Sequence, residues 1–169
     1  ETKEKYYLKW KEVNEENNKD HPYLLDLTRP IRAHADKLEY QLDRNIIELL
    51  HKERLIEMLH DFIVYDRGIK KLCRPNQYFG IKAAQDFIKR REGGIIWHTQ
   101  GSGKSLTMVW LTKWIREYNA NARVLIITDR EELDEQIEKV YKGIQEDIYR
   151  TKNGKDLLAK LNETSPWLI

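Results

Sequence analysis

At 169 residues the chain is long enough for one ordinary domain and too short for two large ones. Charged residues make up 34% and hydrophobic residues 40%, with a net charge of +2; no stretch approaches the run of about twenty apolar residues that spans a bilayer, and any nucleic-acid surface must come from local placement of charge. The single cysteine, Cys73, excludes an intrachain disulfide framework, and with a charged N-terminal stretch that lacks the apolar core of a signal peptide it points to a cytoplasmic protein.

Residues 1–43 open with an aromatic patch, Tyr6, Tyr7, Leu8 and Trp10, followed by the polar run 15–20. Pro22 and Pro30 are expected to break any long helix, because each lacks an N–H and restricts the residue before it. A short helix is expected from Ile31 to Leu42, where Ala35, Leu38 and Leu42 recur at helical spacing. The histidines at 21, 34, 51 and 60 stand too far apart for a metal-ligand spacing.

Residues 44–65 carry the clearest helical period. Ile46, Ile47, Leu49, Leu50, Leu55, Ile56, Met58, Leu59, Phe62 and Ile63 share one broad face, and Glu48, Lys52, Glu53, Arg54 and Glu57 the other. So wide a stripe predicts packing on two sides, as one long helix or as two joined near His51. Asp66-Arg67-Gly68 marks a break. A further helix is expected behind Pro75, which costs nothing in a first turn, and Phe79, Ile81, Ala84, Phe87 and Ile88 follow it at helical spacing. Arg74-Pro75-Asn76-Gln77 opens that helix directly before a glycine-rich segment. A glutamine amide can donate to an adenine ring nitrogen and accept from its amino group, which would select ATP over GTP; a polar first turn is the plainer account of the same residues.

Gly93 to Ser105 reads as a short buried strand, a glycine-bearing turn and the start of a helix. Gly101 and Gly103, lacking Cβ, let the backbone curl and aim N–H groups at phosphate oxygens. The helix beginning at about Lys104 adds its positive end. Lys104 supplies a full charge for the β- and γ-phosphates, and the Ser105 hydroxyl is placed to hold Mg²⁺. The strict phosphate-loop pattern asks for glycine where this chain has His98; Gly-Ser-Gly-Lys-Ser survives in the right context. A glycine turn that binds nothing is the competing account, but packing rarely requires a Lys-Ser pair there.

Downstream, Leu106, Val109, Trp110, Trp114 and Ile115 form the stripe of a helix running to about Tyr118. Val124 to Ile127 is a continuous apolar run, as expected of a parallel strand covered on both faces. Thr128-Asp129-Arg130 would stand at its carboxyl end, the edge where open α/β sheets bind ligands. A helix from Glu131 to Val140, another around Leu157 to Leu161, and a third strand from Trp167 complete the pattern. The predicted fold class is α/β: part of a parallel P-loop NTPase sheet, preceded by a mainly helical segment.

These residues resemble superfamily-two helicases and translocases. Trp-His-Thr-Gln-Gly-Ser-Gly-Lys-Ser at 97–105 is similar to motif I of the motor (R) subunit of type I restriction-modification enzymes. Val-Leu-Ile-Ile-Thr-Asp-Arg at 124–130 resembles that family's motif Ia, and Arg-Pro-Asn-Gln at 74–77 its glutamine motif. The resemblance implies two domains: a mainly helical linking region over 1–72, and the incomplete first RecA-like lobe over 73–169. It also implies an ATP-driven double-stranded DNA translocase joined to an endonuclease, with methyltransferase and specificity subunits as partners. Lys104 would be the catalytic lysine. Arg74 and Gln77 would contact the adenine side, Thr99, Gln100, Gly101, Ser102, Gly103, Lys104 and Ser105 would bind ATP, and Ser105 the Mg²⁺. Thr128, Asp129 and Arg130 would lie along the DNA, on phosphates rather than bases.

Against the family pattern, the acidic Walker B motif, the second lobe with its arginine finger and a nuclease constellation are missing. The chain also begins without Met and stops at what reads as the opening of a strand, so an excerpt that neither hydrolyses ATP nor cuts DNA alone is expected. Other superfamily-two helicases, a small-molecule P-loop kinase or NTPase, and a non-catalytic interaction module fit parts of the pattern. The upstream Arg-Pro-x-Gln and the strand end at 128–130 count against the kinase.

Overall fold

A computed structural model describes residues 10–13 and 21–169. The expected patch at Tyr6, Tyr7 and Leu8 and the polar run at 15–20 lie outside the described residues. The chain divides into two compact units, the first comprising 1–63 and 72–102, the second 64–71 and 103–169.

In the first unit, helix α1 spans Pro22–Ala35, α2 Gln41–Leu50, α3 Lys52–Asp61 and α4 Pro75–Lys89. Two expectations are corrected here. The helix predicted over 31–42 ends at Ala35, and α1 starts nine residues earlier and runs through Pro30. Proline removes one ladder bond but leaves the stripe intact: Leu24, Thr28, Ile31 and Ala35, spaced by four, three and four, are all buried. The apolar stripe of 44–63 forms two helices joined at His51, as one of the two readings had it, but its packing differs. His51, at ψ 133°, separates α2 from α3, and Ile63 begins a strand. The expected two-sided packing does not follow, since α2 buries no residue and Leu50, Ile56 and Leu59 are at least half exposed.

The core of this unit forms where α3 meets the first turns of α4. Met58, Phe62, Cys73, Tyr78 and Ile81 are buried there, with Trp10 and Val13 from the upstream segment. The rings interlock, Phe62 to Tyr78 at 4.9 Å and Trp10 to Tyr78 at 5.6 Å. Arg54 lies within 5.5 Å of the Trp10, Tyr78 and Phe79 rings and is held by both carboxylate oxygens of Glu12, at 2.5 and 3.1 Å. Glu57 accepts from the Tyr78 phenol at 2.7 Å and from Lys82 Nζ at 2.5 Å. Cys73 Sγ donates to Met58 Sδ at 3.5 Å. Burial, then the Glu57 carboxylate, holds the Cys73 thiol well above the usual range. Native Cys73 is therefore expected to resist alkylation at neutral pH and to react only as the chain opens; labelling as fast as in denaturant would contradict this.

Strands β1, Ile63–Asp66, and β2, Ile69–Leu72, pair as a hairpin. Its two central residues, Arg67 and Gly68, both have positive φ, 51° and 78°, as a type I′ turn requires. The predicted break at 66–68 is this turn.

In the second unit, α5 spans Lys104–Tyr118, α6 Glu131–Gly143 and α7 Gly154–Asn162. Val109, Trp110, Ile137 and Tyr141 are buried between α5 and α6. The Thr112 hydroxyl and the Tyr141 phenol bond at 2.8 Å, and burial pushes that phenol up to about 12. The hairpin turn joins this unit through Arg67 N–H, which donates to Gly143 O at 2.9 Å. Arg123 donates to the carbonyls of Lys160, Leu161 and Pro166, closing the C-terminal end of α7 with a cation.

At the other end of α7, Asn153 caps Asp156 N–H, and the Asp156 carboxylate accepts from Lys152 N–H at 2.8 Å and from the Tyr149 phenol. The Lys152 amide is the leading reason the Asp156 carboxyl lies below its ordinary range. With the folded value depressed, this contribution to stability is present above the unfolded value and is lost as pH falls through the folded one, below about pH 4. Asp156→Asn is expected to remove that part of the acid limb of the melting-temperature profile. An unchanged acid limb would assign the loss to other carboxylates.

The chain is a mixed helix and strand structure, but its parallel pairing is slight. Val124 and Leu168 form a parallel bridge. Around it Val124 N–H donates to Trp167 O, Ile126 N–H to Ile169 O and Tyr149 N–H to Leu168 O, so residues 167–169 run between 124–126 and 149. The strand predicted before the loop is not formed among the described residues. Ile95 and Trp97 are 90% and 89% exposed, because a central parallel strand exists only when neighbours complete its ladder, and no described segment pairs with this one.

Candidate nucleotide-binding loop

The loop is approached along α4. Arg74 is its N-cap, Pro75 sits at the first helical position and Gln77 at the third. Gln77 reaches back, its Oε1 accepting from Arg74 N–H at 2.8 Å, as a glutamine at this position does in a capping box. Its Nε2 donates to Ser102 O at 3.2 Å. The residue expected to meet adenine is thus 3% exposed and ties the helix start to the loop backbone. Arg74 itself is exposed.

Thr99 O accepts from Ser102 N–H at 3.3 Å, closing a turn whose third residue, Gly101, has φ +75°. Glycine is favoured there by conformation and not by crowding, since a Cβ on Gly101 would meet nothing within 4 Å. Thr99 and Gln100 are exposed. The Ser102 hydroxyl is buried without a hydrogen-bond partner. Between Ser102 and Gly103 the chain passes into the second unit.

There Gly103, at φ 83° and ψ 35°, is the left-handed N-cap of α5, and its carbonyl accepts from Leu106 and Thr107 N–H at 3.0 and 3.1 Å. Lys104 and Ser105 are the first two helical residues, the lysine exposed and the serine half-buried. The first turn of a fifteen-residue helix presents N–H groups and the positive end of its dipole to an anion. Within the second unit, a left-handed glycine cap followed by a lysine-serine helix start has the chemistry to meet an anion.

Thr128, Asp129 and Arg130 precede α6, with Arg130 as its N-cap. Asp129 and Arg130 stand 4.0 Å apart and are both about four-fifths exposed, a pairing that adds little stability in solvent. Thr128 opens on a cavity of about 210 Å³ beside α6, at whose edge Arg150 pairs with Asp134 at 2.5 Å.

The SWI2/SNF2 ATPase family matches residues 76–169, more than half of the chain. The chain belongs to this family. Its relatives carry the narrower resemblance seen in the motifs. A protein of Methanocaldococcus jannaschii, provisionally named the type I restriction enzyme MjaIXP endonuclease subunit, is 34% identical over 76% of this chain and 13% of its own length. The type I restriction enzyme HindI endonuclease subunit of Haemophilus influenzae is 27% identical over 91% of this chain and 14% of its own. The type I restriction enzyme SauCOLORF180P endonuclease subunit of Staphylococcus aureus is 32% identical over 69% and 13%. This SWI2/SNF2 chain thus spans about an eighth of the length of the curated relatives it matches. Its resemblance to the restriction-enzyme R subunit is borne out. Among the described residues no helix is long and apolar enough to cross a membrane.

Two features of this SWI2/SNF2 chain escaped the motif reading. Gly80 lies inside α4, where glycine costs about 1 kcal/mol against alanine, and that cost was the available signal. A Cβ there would stand 3.2 Å from His98 Nε2. The Glu12–Arg54 pair left no signal, because its partners are 42 residues apart.

Proposed function

We propose that the chain is the ATP-binding part of an ATP-dependent double-stranded DNA translocase within a type I restriction endonuclease subunit. The observation that carries this reading is the pair of left-handed glycines, Gly101 and Gly103, leading into a helix that begins Lys104-Ser105, within a SWI2/SNF2 ATPase match. Lys104 would hold the β- and γ-phosphates as a point charge and the Ser105 hydroxyl would hold Mg²⁺. Thr99, Gln100 and Ser102 would line the phosphates with the glycine amides, and Arg74 and Gln77 would take the adenine end. When bound, the nucleotide supplies the phosphoryl bond whose hydrolysis drives movement along DNA.

Thr128, Asp129 and Arg130 would follow the DNA backbone. Contacts there go to phosphates and carry no sequence information, which suits a motor whose recognition resides in a separate specificity subunit alongside a methyltransferase. ATPase measurements on the full chain test this. Double-stranded DNA is expected to stimulate hydrolysis, and Lys104→Ala to abolish the stimulated rate. A DNA-independent rate that survives Lys104→Ala would overturn the reading.

A further inference from the structure

The segment leading into the loop runs along one face of α4. A Cβ at Gly94 would stand 3.3 Å from Phe87 Cδ1, one at Gly80 would stand 3.6 Å from Ile96 Cγ2 and 3.2 Å from His98 Nε2, and Gln77 Nε2 donates to Ser102 O at 3.2 Å. Phe87, Gly80 and Gln77 are separated by seven and three residues, which puts them on a common stripe of a helix. The segment 94–102 therefore descends α4 from its C-terminal half to its first turn. A strict phosphate loop has glycine at the position of His98. Here the bulk is on the loop and the glycine is across from it, at Gly80. The two residues exchange the usual sizes, and the imidazole fills the space that a side chain at 80 would take.

We propose that His98 is a positioning residue that sets nucleotide selectivity through this contact with Gly80. Gly80 lies one helical turn from Gln77, so the depth at which the imidazole seats on α4 sets the register of the whole seam. That register decides whether Ser102 O comes within reach of the Gln77 amide. With the seam in place, the Gln77 amide is tied to Ser102 O; with the seam shifted, that tie is lost and the base end loses its alignment. This inference rests on the nucleotide reading above. It adds that the histidine is the reason adenine is preferred, and that restoring glycine at 98 harms the site.

The test is equilibrium titration of the full chain with fluorescent ATP and GTP analogues, read as binding without turnover. His98→Gly is expected to weaken ATP by about tenfold and to bring the ATP-to-GTP affinity ratio close to one. His98→Gln, which keeps a polar side chain of similar reach, is expected to retain most of the preference. Gly80→Ala is expected to lower it, and adding Gly80→Ala to His98→Ala to change nothing further, since the clash then has no partner. Should Gly80→Ala fail to fold, His98→Ala, which opens space and introduces no clash, carries the test. An ATP-to-GTP ratio unchanged in His98→Gly and His98→Ala, with Lys104→Ala still weakening binding about 10- to 100-fold, overturns the inference and leaves the nucleotide reading standing. Binding indifferent to Lys104→Ala overturns the nucleotide reading itself.

Discussion

Arg54→Ala is expected to destabilise the helical unit by about 3–5 kcal/mol, the cost of breaking a buried ion pair by removing one partner. The Arg54 and Glu12 side chains are 2% and 8% exposed, so the carboxylate left behind would be unpaired and largely cut off from water. Trp10 Nε1 would still donate to it at 3.0 Å, which offsets a small part of the loss. The guanidinium also donates to Glu48 O at 2.5 Å and stands over three aromatic rings, contacts that alanine cannot replace. Glu12→Ala is expected to cost a similar amount for the mirror-image reason. Replacing both by apolar residues, Arg54→Met with Glu12→Leu, should cost less than either single change, because no unpaired charge remains. Urea denaturation of the full chain, followed by tyrosine and tryptophan fluorescence, measures all three. A double change that costs as much as the two single losses together would show that the pair is not coupled.

Lys104→Ala is the change with the largest expected functional effect: about a 10- to 100-fold loss of nucleotide affinity. That range corresponds to one charge-assisted hydrogen bond of about 1.5–3 kcal/mol. The lysine is exposed at the first turn of α5, so its removal leaves no cavity and the melting temperature should hardly move. Affinity and stability thus separate. Lys104→Arg should recover only part of the affinity, since a planar fork does not reproduce a compact ammonium at a phosphate. Calorimetric titration with ATP, at one stated salt concentration, gives the number. Affinity within about twofold of the parent would place the anion elsewhere.

Some of the structure was written locally. Pro75 and Gln77 announce the start of α4 through a missing N–H and a back-reaching amide. Gly103 before Lys104 starts α5 through a left-handed cap, and Arg67-Gly68 makes its turn through two positive φ angles. Each depends on residues within a few positions of one another, so one sequence read with backbone chemistry suffices. Motif order along the chain carried the family, because the glutamine, the glycine loop and the apolar run at 124–127 are ordered in the chain itself.

What the sequence misjudged depends on residues far apart. Pro30 lies within α1 because Leu24, Ile31 and Ala35 bury one stripe, and that burial outweighs one lost ladder bond. Ile95 to Trp97 has the composition of a strand and lacks the neighbours that make one. Arg54 reads as one charge among many until Glu12 and three rings close around it. His98 departs from the strict phosphate loop and fits the restriction motor's version of it, but that it lies against Gly80 emerges only in the fold. Local chemistry dictates where helices and turns begin; which side chains meet across 18 or 42 positions is decided by packing, and packing exists only in three dimensions.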